Sequence, residues 1–264
     1  MNLFTEYESI TIISLVVFSF LAGLIDAVVG GGGLIQMPAL LIAHPSTDLP
    51  TLFGTNKIAA LSGTSISAVQ YSKRIKFNHR LLIVVCLFAG LASFLGAKVV
   101  GYMDVNTLKP VILVVLVVIA VYTFYKKDLG AIQTKQLSRS KQFLYGSLLG
   151  LVVGFYDGFF GPGTGSFFVL GFVVILGFEF IQASAYAKVV NCLTNISALL
   201  VFLRQGQYLL ELAVVMAISN MIGNFIGTRL AFKKGNTFIR SIFLIVVTQM
   251  IVRYGYDVFF NGPM

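Results

Sequence analysis

The amino-acid sequence predicts an all-α polytopic membrane protein built from two inverted repeats, with helices that are broken near the membrane midplane. Three observations predict this fold: a strongly apolar composition, a repeat at one constant offset, and two glycine-rich interruptions with the same spacing. Of the 264 residues, 57% are hydrophobic and 11% are charged, and the mean hydropathy is +0.90. This composition lies outside the range of soluble globular domains.

Several apolar segments are each about long enough to span the hydrocarbon core of a bilayer. They are residues 10–29, 52–71, 81–101, 107–125, 143–160, 182–202, 208–228 and 237–252. Two further apolar segments, residues 34–43 and 165–178, look short, and whether they span fully or form half-helices is left open.

The charge distribution predicts the orientation of these spans. The net charge is +9, but the basic residues lie in short loops rather than on one face, which argues against nucleic-acid binding. Segments 72–80, 126–141 and 229–240 are rich in Lys and Arg and are predicted to be cytoplasmic. Acidic Glu6 and Glu8 precede the first apolar run, so no cleavable signal peptide is predicted. Both termini are expected to be periplasmic.

A shift of 131 residues aligns the chain with itself without a gap. It places Asp26 on Asp157 and Lys57 on Lys188. Further matches are Gly23 on Gly154, Gly30 on Gly161, Gly32 on Gly163, Phe94 on Phe225 and Gly96 on Gly227. The chain is therefore divided into a first transmembrane repeat, a basic cytoplasmic linker and a second transmembrane repeat, at residues 1–125, 126–142 and 143–264.

The loop charges indicate that the two repeats are inverted. The basic loop 72–80 corresponds by the shift to residues 203–211, where Arg204 is offset by Glu211. Loops on the cytoplasmic side of one repeat therefore correspond to outward loops of the other. Inverted repeats are typical of secondary transporters, whose sites lie near the midplane where interrupted helices meet.

Each repeat carries one interruption of the form G-x2-D-x3-G-x-G. The two copies are GLIDAVVGGG at residues 23–32 and GFYDGFFGPG at residues 154–163. Unwound backbone at membrane depth is tolerated only inside protein or beside a wet cavity. The half-helix that follows each interruption would direct its free NH groups into that cavity, where an anion is the natural ligand. The predicted backbone contacts are Gly31, Gly32, Gly33, Gly163 and Thr164.

Polar side chains on the next long helix of each repeat also favour an anion-binding site. Lys188, Asn191 and Asn195 share one helical face, and the first repeat places Lys57 at the equivalent position, beside Asn56. The predicted substrate-binding side chains are therefore Asn56, Lys57, Lys188, Asn191 and Asn195.

Other roles for these residues stay open. Asp26 and Asp157 would pair with the lysines, carry a coupling proton, or cap the broken turn. The lysines would bind an anion or extend to the membrane interface, and the asparagines would bind substrate or join helices.

Enzymatic, metal and cofactor chemistry have little support in the sequence. The run GGGGLI lacks the spacing of a dinucleotide-binding loop, and His44 and His79 are isolated. Cys86 and Cys192 lie inside apolar spans without metal-ligand spacing. No enzyme activity, metal or cofactor is therefore expected.

Four stretches together resemble the TauE/SafE family of membrane transporters, also called the sulfite exporter family. They are GLIDAVVGGGG, FGTNKIAALSGTSISAVQYSKR, GFYDGFFGPGTGSF and ASAYAKVVNCLTNISALLVF. The resemblance covers nearly the whole chain and implies movement of sulfite or organosulfonates, mostly outward, across a bacterial inner membrane. It assigns the functional motifs to the same aspartates, glycines, lysines and asparagines. One departure from the family is Ala60, where the equivalent helix of its members often carries a second polar amide like that at Asn191.

The sequence thus predicts a secondary transporter that exports sulfite or organosulfonates by alternating access. The alternatives are an uptake permease for a sulfonate or another small anion, and a membrane scaffold that does not transport. The expected partners are a small sulfur-containing anion and membrane lipid. Homo-oligomerisation, the exact substrate, the direction of transport and the coupling ion are left open.

Overall fold

The described part of the chain is helical throughout. The structure is a computed structural model that describes residues 9–44, 46–100 and 137–259. Within these ranges there are eight helices and no strand. The predicted span 107–125, most of the linker 126–142 and both chain termini lie outside the described residues.

The helices follow one another with short connections. Their bounds are α1 Ser9–Val29, α2 Gly33–Ala43, α3 Leu49–Ser72, α4 His79–Val99, α5 Arg139–Phe159, α6 Thr164–Val174, α7 Phe180–Arg204 and α8 Leu210–Phe259. Within α8, Gly235 has a φ of +75° and interrupts the helix. The predicted segments 208–228 and 237–252 therefore lie on either side of this break.

The chain is a multi-pass membrane protein. Among the described helices, four are long and apolar enough to cross a bilayer: Ile10–Val29, His79–Val99, Phe180–Arg204 and Leu210–Ile239. In contrast, α2 and α6 have 11 residues each, which corresponds to about 16 Å. A helix of that length cannot span the hydrocarbon core. The second of these helices ends at Val174, four residues before the predicted end at 178.

Helix bounds agree between the two halves of the chain. Residues 33–43 shifted by 131 are residues 164–174, which are the bounds of α6. The same shift carries Leu49 and His79, where α3 and α4 begin, to Phe180 and Leu210, where α7 and α8 begin. Equivalent positions in the sequence therefore carry equivalent helices.

The two halves interlock in space. The most extensive packing pairs α1 with α8 and α5 with α4, so the first helix of each half lies against the last described helix of the other. Central helices α3 and α7 also pack against each other. Glycines allow the close approach: a Cβ at Gly223 would overlap the α1 backbone at Phe20, and one at Gly154 would overlap the α4 backbone at Ala89.

Candidate functional site

The candidate site lies where the two glycine-rich turns meet. Gly30, between α1 and α2, has a φ of +80°, and Gly161 and Gly163, between α5 and α6, have φ values of +88° and +85°. Only glycine adopts this region readily. A Cβ on Gly30 would also overlap the backbone of Gly165, so the two turns are in direct contact. Both turns lie within the two glycine-rich motifs of the sequence.

The carboxyl end of α1 is held by groups from three other helices. The last carbonyls of a helix have no partner within it, and burying them unpaired is costly. Here Tyr71 Oη donates to Ala27 O at 3.1 Å, Ser184 Oγ to Val28 O at 3.2 Å and Ser166 Oγ to Val29 O at 2.9 Å. Ser166 N donates to Gly30 O at 3.1 Å. These contacts fix the turn that carries the first glycine motif.

Two buried ion pairs connect the halves of the chain. Lys57 Nζ lies 2.7 Å from Asp157 Oδ2, and Lys188 Nζ lies 2.9 Å from Asp26 Oδ2. Each lysine therefore pairs with the aspartate of the opposite half. Both lysines are buried, with Lys188 completely inaccessible, so neither extends to an interface.

The two ion pairs differ in their additional hydrogen bonds. In the first pair, the lysine has a second partner, because Lys57 Nζ donates to Asn195 Oδ1 at 3.0 Å. In the second pair, the carboxylate has one, because Thr64 Oγ1 donates to Asp26 Oδ2 at 3.0 Å. Thr64 and Asn195 are equivalent under the shift of 131. The site is therefore symmetric in position and asymmetric in chemistry.

A small cavity of about 30 Å³ lies beside these groups, which is room for about one or two water molecules. Its walls are formed by Asp26, Gly30, Gly32, Gly33, Gln36, Asn56, Lys57, Ala60, Thr64, Asp157, Gly161, Gly163, Thr164, Gly165, Asn191, Asn195 and Asn220. Lys188 does not line the cavity; it contacts Asp26, which does. An ion of several heavy atoms therefore fits only if wall side chains move.

Hydrogen-bond donors are concentrated at the cavity wall. The first residues of α2 and α6 line it, and neither helix has a side-chain cap on its amino terminus. The helices α5 and α7 also lack a side-chain cap hydrogen bond, whereas Asp48 and Asn78 cap α3 and α4. Gln36 Nε2 and Asn195 Nδ2 are buried without a hydrogen-bond partner among the described residues. Lys57, the two helix amino termini and the free amide groups provide donors for an anion, while Asp26, Asp157 and the unpartnered Asn56 Oδ1 place acceptors on the same wall.

Most of the residues predicted from sequence come together here. Asp26, Gly32, Gly33, Asn56, Lys57, Asp157, Gly163, Thr164, Asn191 and Asn195 line the cavity. Gly31 and Lys188 are not among the lining residues. Sequence reasoning missed Gln36 and Asn220, which also line the cavity and hydrogen bond to each other at 2.9 Å. Each of these amides lies inside an apolar segment of the sequence, residues 34–43 for Gln36 and 208–228 for Asn220, and this pattern could have indicated them.

Comparison with known proteins decides the family. The sequence profile described as "Sulfite exporter TauE/SafE" matches residues 15–254. The chain belongs to the TauE/SafE family. No solved structure matches this TauE/SafE chain.

Three relatives resemble this TauE/SafE chain over nearly their full lengths. It is 37% identical to "Probable membrane transporter protein ORF9" of a Sinorhizobium species over 239 residues, 90% of each chain. It is 35% identical to a "Probable membrane transporter protein" of Haemophilus influenzae, over 90% of this chain and 92% of the relative. It is 33% identical to "Probable membrane transporter protein YfcA" of Escherichia coli K12, over 90% of this chain and 87% of the relative. The chain is therefore a membrane transporter of the TauE/SafE family.

Proposed function

We propose that this protein is a secondary transporter that exports sulfite or organosulfonates across the bacterial inner membrane. The observation that carries the proposal is the cavity in which Lys57 meets the uncapped amino termini of α2 and α6. Such donors favour a small anion. The description of the family as sulfite exporters supports a sulfur oxyanion in particular.

Charge balance determines how an anion enters this site. The two lysines and two aspartates sum to zero, so an added anion leaves uncompensated negative charge in a buried place, which is costly. Lys57 becomes available when the anion replaces Asp157 as its partner. A proton carried by an aspartate, or by the substrate itself, restores neutrality.

Alternating access in this proposal uses two inverted repeats whose helices interlock. Because α1 packs on α8 and α5 on α4, each moving unit contains helices from both halves. The unit that contains α1 and α8 moves against the unit that contains α4 and α5, with the site at the contact of α3 and α7.

Flux measurements in proteoliposomes test the proposal. Sulfite, methanesulfonate, sulfate and chloride are offered separately, with and without a pH gradient, to wild type, Lys57→Gln and Lys76→Gln. Lys76 is exposed and provides the matched control for loss of one lysine. We expect saturable movement of sulfite or the sulfonate, lost in Lys57→Gln and kept in Lys76→Gln. Absence of flux in wild type for every anion refutes transport of these substrates.

The same preparation separates export from the alternatives. Right-side-out and inside-out vesicles loaded with the anion give the preferred direction under an imposed pH gradient. Net movement only toward the cytoplasmic side supports an uptake permease. A melting temperature that no anion raises, together with no flux, supports a scaffold without transport.

A further inference from the structure

A row of buried polar side chains leads away from the cavity along one face of α8. Asn220, Asn224 and Thr228 are spaced four residues apart, and Ser67 of α3 and Gln36 of α2 join them. We call these five residues the polar ladder. Its bonds are Asn220 Nδ2 to Gln36 Oε1 at 2.9 Å, Asn224 Nδ2 to Asn220 Oδ1 at 2.8 Å, Ser67 Oγ to Asn224 Oδ1 at 2.7 Å, and Ser67 Oγ with Thr228 Oγ1 at 2.8 Å.

The equivalent positions in the other half of the chain are almost entirely apolar. Shifted by 131, the ladder falls on Phe167, Ala89, Ser93, Ala97 and Ala198. Among these, Ser93 alone has a polar side chain, and its Oγ donates to the backbone at Thr194 O. The equivalent helices α4 and α7 pack together without a polar row. Close helix packing therefore does not explain the polar ladder.

The polar ladder runs from the cavity toward a basic end of the molecule. Gln36 and Asn220 line the cavity at one end. At the other end, α3 is followed by exposed Lys73 and Arg74, and Thr228 is followed on α8 by exposed Arg229. These basic residues lie in segments 72–80 and 229–240, two of the three segments predicted to be cytoplasmic. A basic rim attracts anions to the end of the row.

An aromatic contact lies one helical turn beyond the basic end of the polar ladder, because Tyr71 follows Ser67 and Phe232 follows Thr228 by four residues. The rings of Tyr71 and Phe232 lie 4.9 Å apart, and the Arg74 guanidinium lies 4.7 Å from the centre of the Phe232 ring. Tyr71 is fully buried and donates to Ala27 O at the end of α1. Separation of Tyr71 from Phe232 would therefore open the row to water.

We propose that the polar ladder lines the cytoplasmic route by which the transported anion reaches the cavity. In the closed arrangement the side chains of the polar ladder hydrogen bond to one another. When α3 and α8 separate, these side chains hydrogen bond to water and to the anion instead. Apolar constrictions tend to exclude water, whereas polar walls hold it. The identity of the solute in this inference rests on the proposed function. The existence of a hydrated route does not depend on it.

Cysteine labelling tests the route without any substrate. In a background with Cys86→Ala and Cys192→Ala, the ladder variants Ser67→Cys and Thr228→Cys are compared with the matched variants Ala198→Cys and Ala97→Cys. A membrane-impermeant sulfonated maleimide is added to inside-out vesicles for the ladder variants and to right-side-out vesicles for the matched variants, because the inverted repeat directs the matched positions toward the periplasmic face. We expect the ladder variants to react about tenfold faster, because local opening admits the reagent along the polar row. Equal rates, or no reaction of the ladder variants, overturn the inference.

A second variant separates a route from a structural role. Ser67→Ala, Asn224→Ser and Thr228→Ala together give the ladder beyond the cavity the residues of the other half and leave the cavity residue Asn220 unchanged. We expect anion flux to fall at least about tenfold while the melting temperature stays near that of wild type, because polar contacts between membrane helices contribute little. Wild-type flux in this variant overturns the inference. If wild type itself transports no anion, the proposed function fails and the labelling result still decides the route.

Discussion

Lys57 and Asp157 belong to different halves of the chain, and their side chains form a buried ion pair of 2.7 Å. The equivalent residues Lys188 and Asp26 form the second pair at 2.9 Å. Since each lysine pairs with the aspartate of the opposite half, neither ion pair can form within one half alone. The two pairs differ in access to the cavity, which allows separate tests.

The first prediction concerns the Lys57 pair. Lys57→Met leaves Asp157 buried without its partner, so we expect a loss of about 3–5 kcal/mol in the free energy of unfolding. Adding Asp157→Asn removes the uncompensated charge and restores most of that loss. Neither variant should show an anion-dependent rise in melting temperature. Thermal unfolding in detergent, with and without methanesulfonate, measures both effects. An anion response of wild-type size in the double variant contradicts a binding role for Lys57.

The second prediction concerns the Lys188 pair, which contacts the cavity through Asp26 alone. Lys188→Met should destabilise the fold because Asp26 loses its counter-ion, and Asp26→Asn in the same chain should restore stability. Unlike the Lys57 double variant, the Lys188→Met, Asp26→Asn variant retains Lys57 at the cavity wall. It should therefore still bind the anion. Binding of methanesulfonate is measured by titration in detergent. Complete loss of binding in the stable double variant assigns the anion directly to Lys188.

The third prediction concerns the contact between the glycine turns. Gly30→Ala places a Cβ against the backbone of Gly165 at a positive φ, whereas Gly206→Ala has a positive φ and open space around the Cβ. We expect Gly206→Ala to cost about 1–2 kcal/mol from backbone conformation alone. Gly30→Ala should cost clearly more, because the overlap adds to the same conformational term. Equal melting temperatures for the two variants refute close contact of the turns.

The fourth prediction concerns the hydrogen bonds that end α1. Ser166→Ala removes the donor to Val29 O in a buried place, and we expect a cost of about 1–3 kcal/mol because the carbonyl is left unpaired. Ser147→Ala is the control, since its hydroxyl bonds to Phe143 O within the same helix, where that carbonyl keeps other partners. The control should change stability by less than about 0.5 kcal/mol. Similar losses in both variants contradict a special role for Ser166.

Much of the helical framework was predictable from local patterns. Apolar run lengths identified the long helices, and the glycine motifs identified the turns at Gly30 and Gly161, because both signals depend on neighbouring residues. The sequence left open whether the apolar segments of α2 and α6 span the bilayer, and their length of 11 residues decides against it. The repeat singled out Lys57, Lys188 and the aspartates, and their role as site residues stays a prediction.

The remaining features depend on contacts between distant residues. The repeat identifies equivalent positions but does not specify that Lys57 pairs with Asp157 rather than Asp26. Asn220 was missed because its equivalent is Ala89, so the repeat did not mark it. Ser166 bonds to a carbonyl 137 residues away, and no local pattern encodes such a partner. The absence of Lys188 from the cavity wall likewise required three-dimensional packing.

The packing of α1 against α8 has a consequence for synthesis of the protein. Ser219 Oγ donates to Val16 O at 2.7 Å across 203 residues of sequence. A chain grows from its amino terminus, so α1 enters the bilayer long before its main partner leaves the ribosome. Until then, the face of α1 that later meets Gly223 and Gly227 is open to lipid or to the insertion machinery. Assembly is therefore completed by the last part of the chain, and a product truncated before Leu210 leaves α1 without the helix against which it packs most extensively.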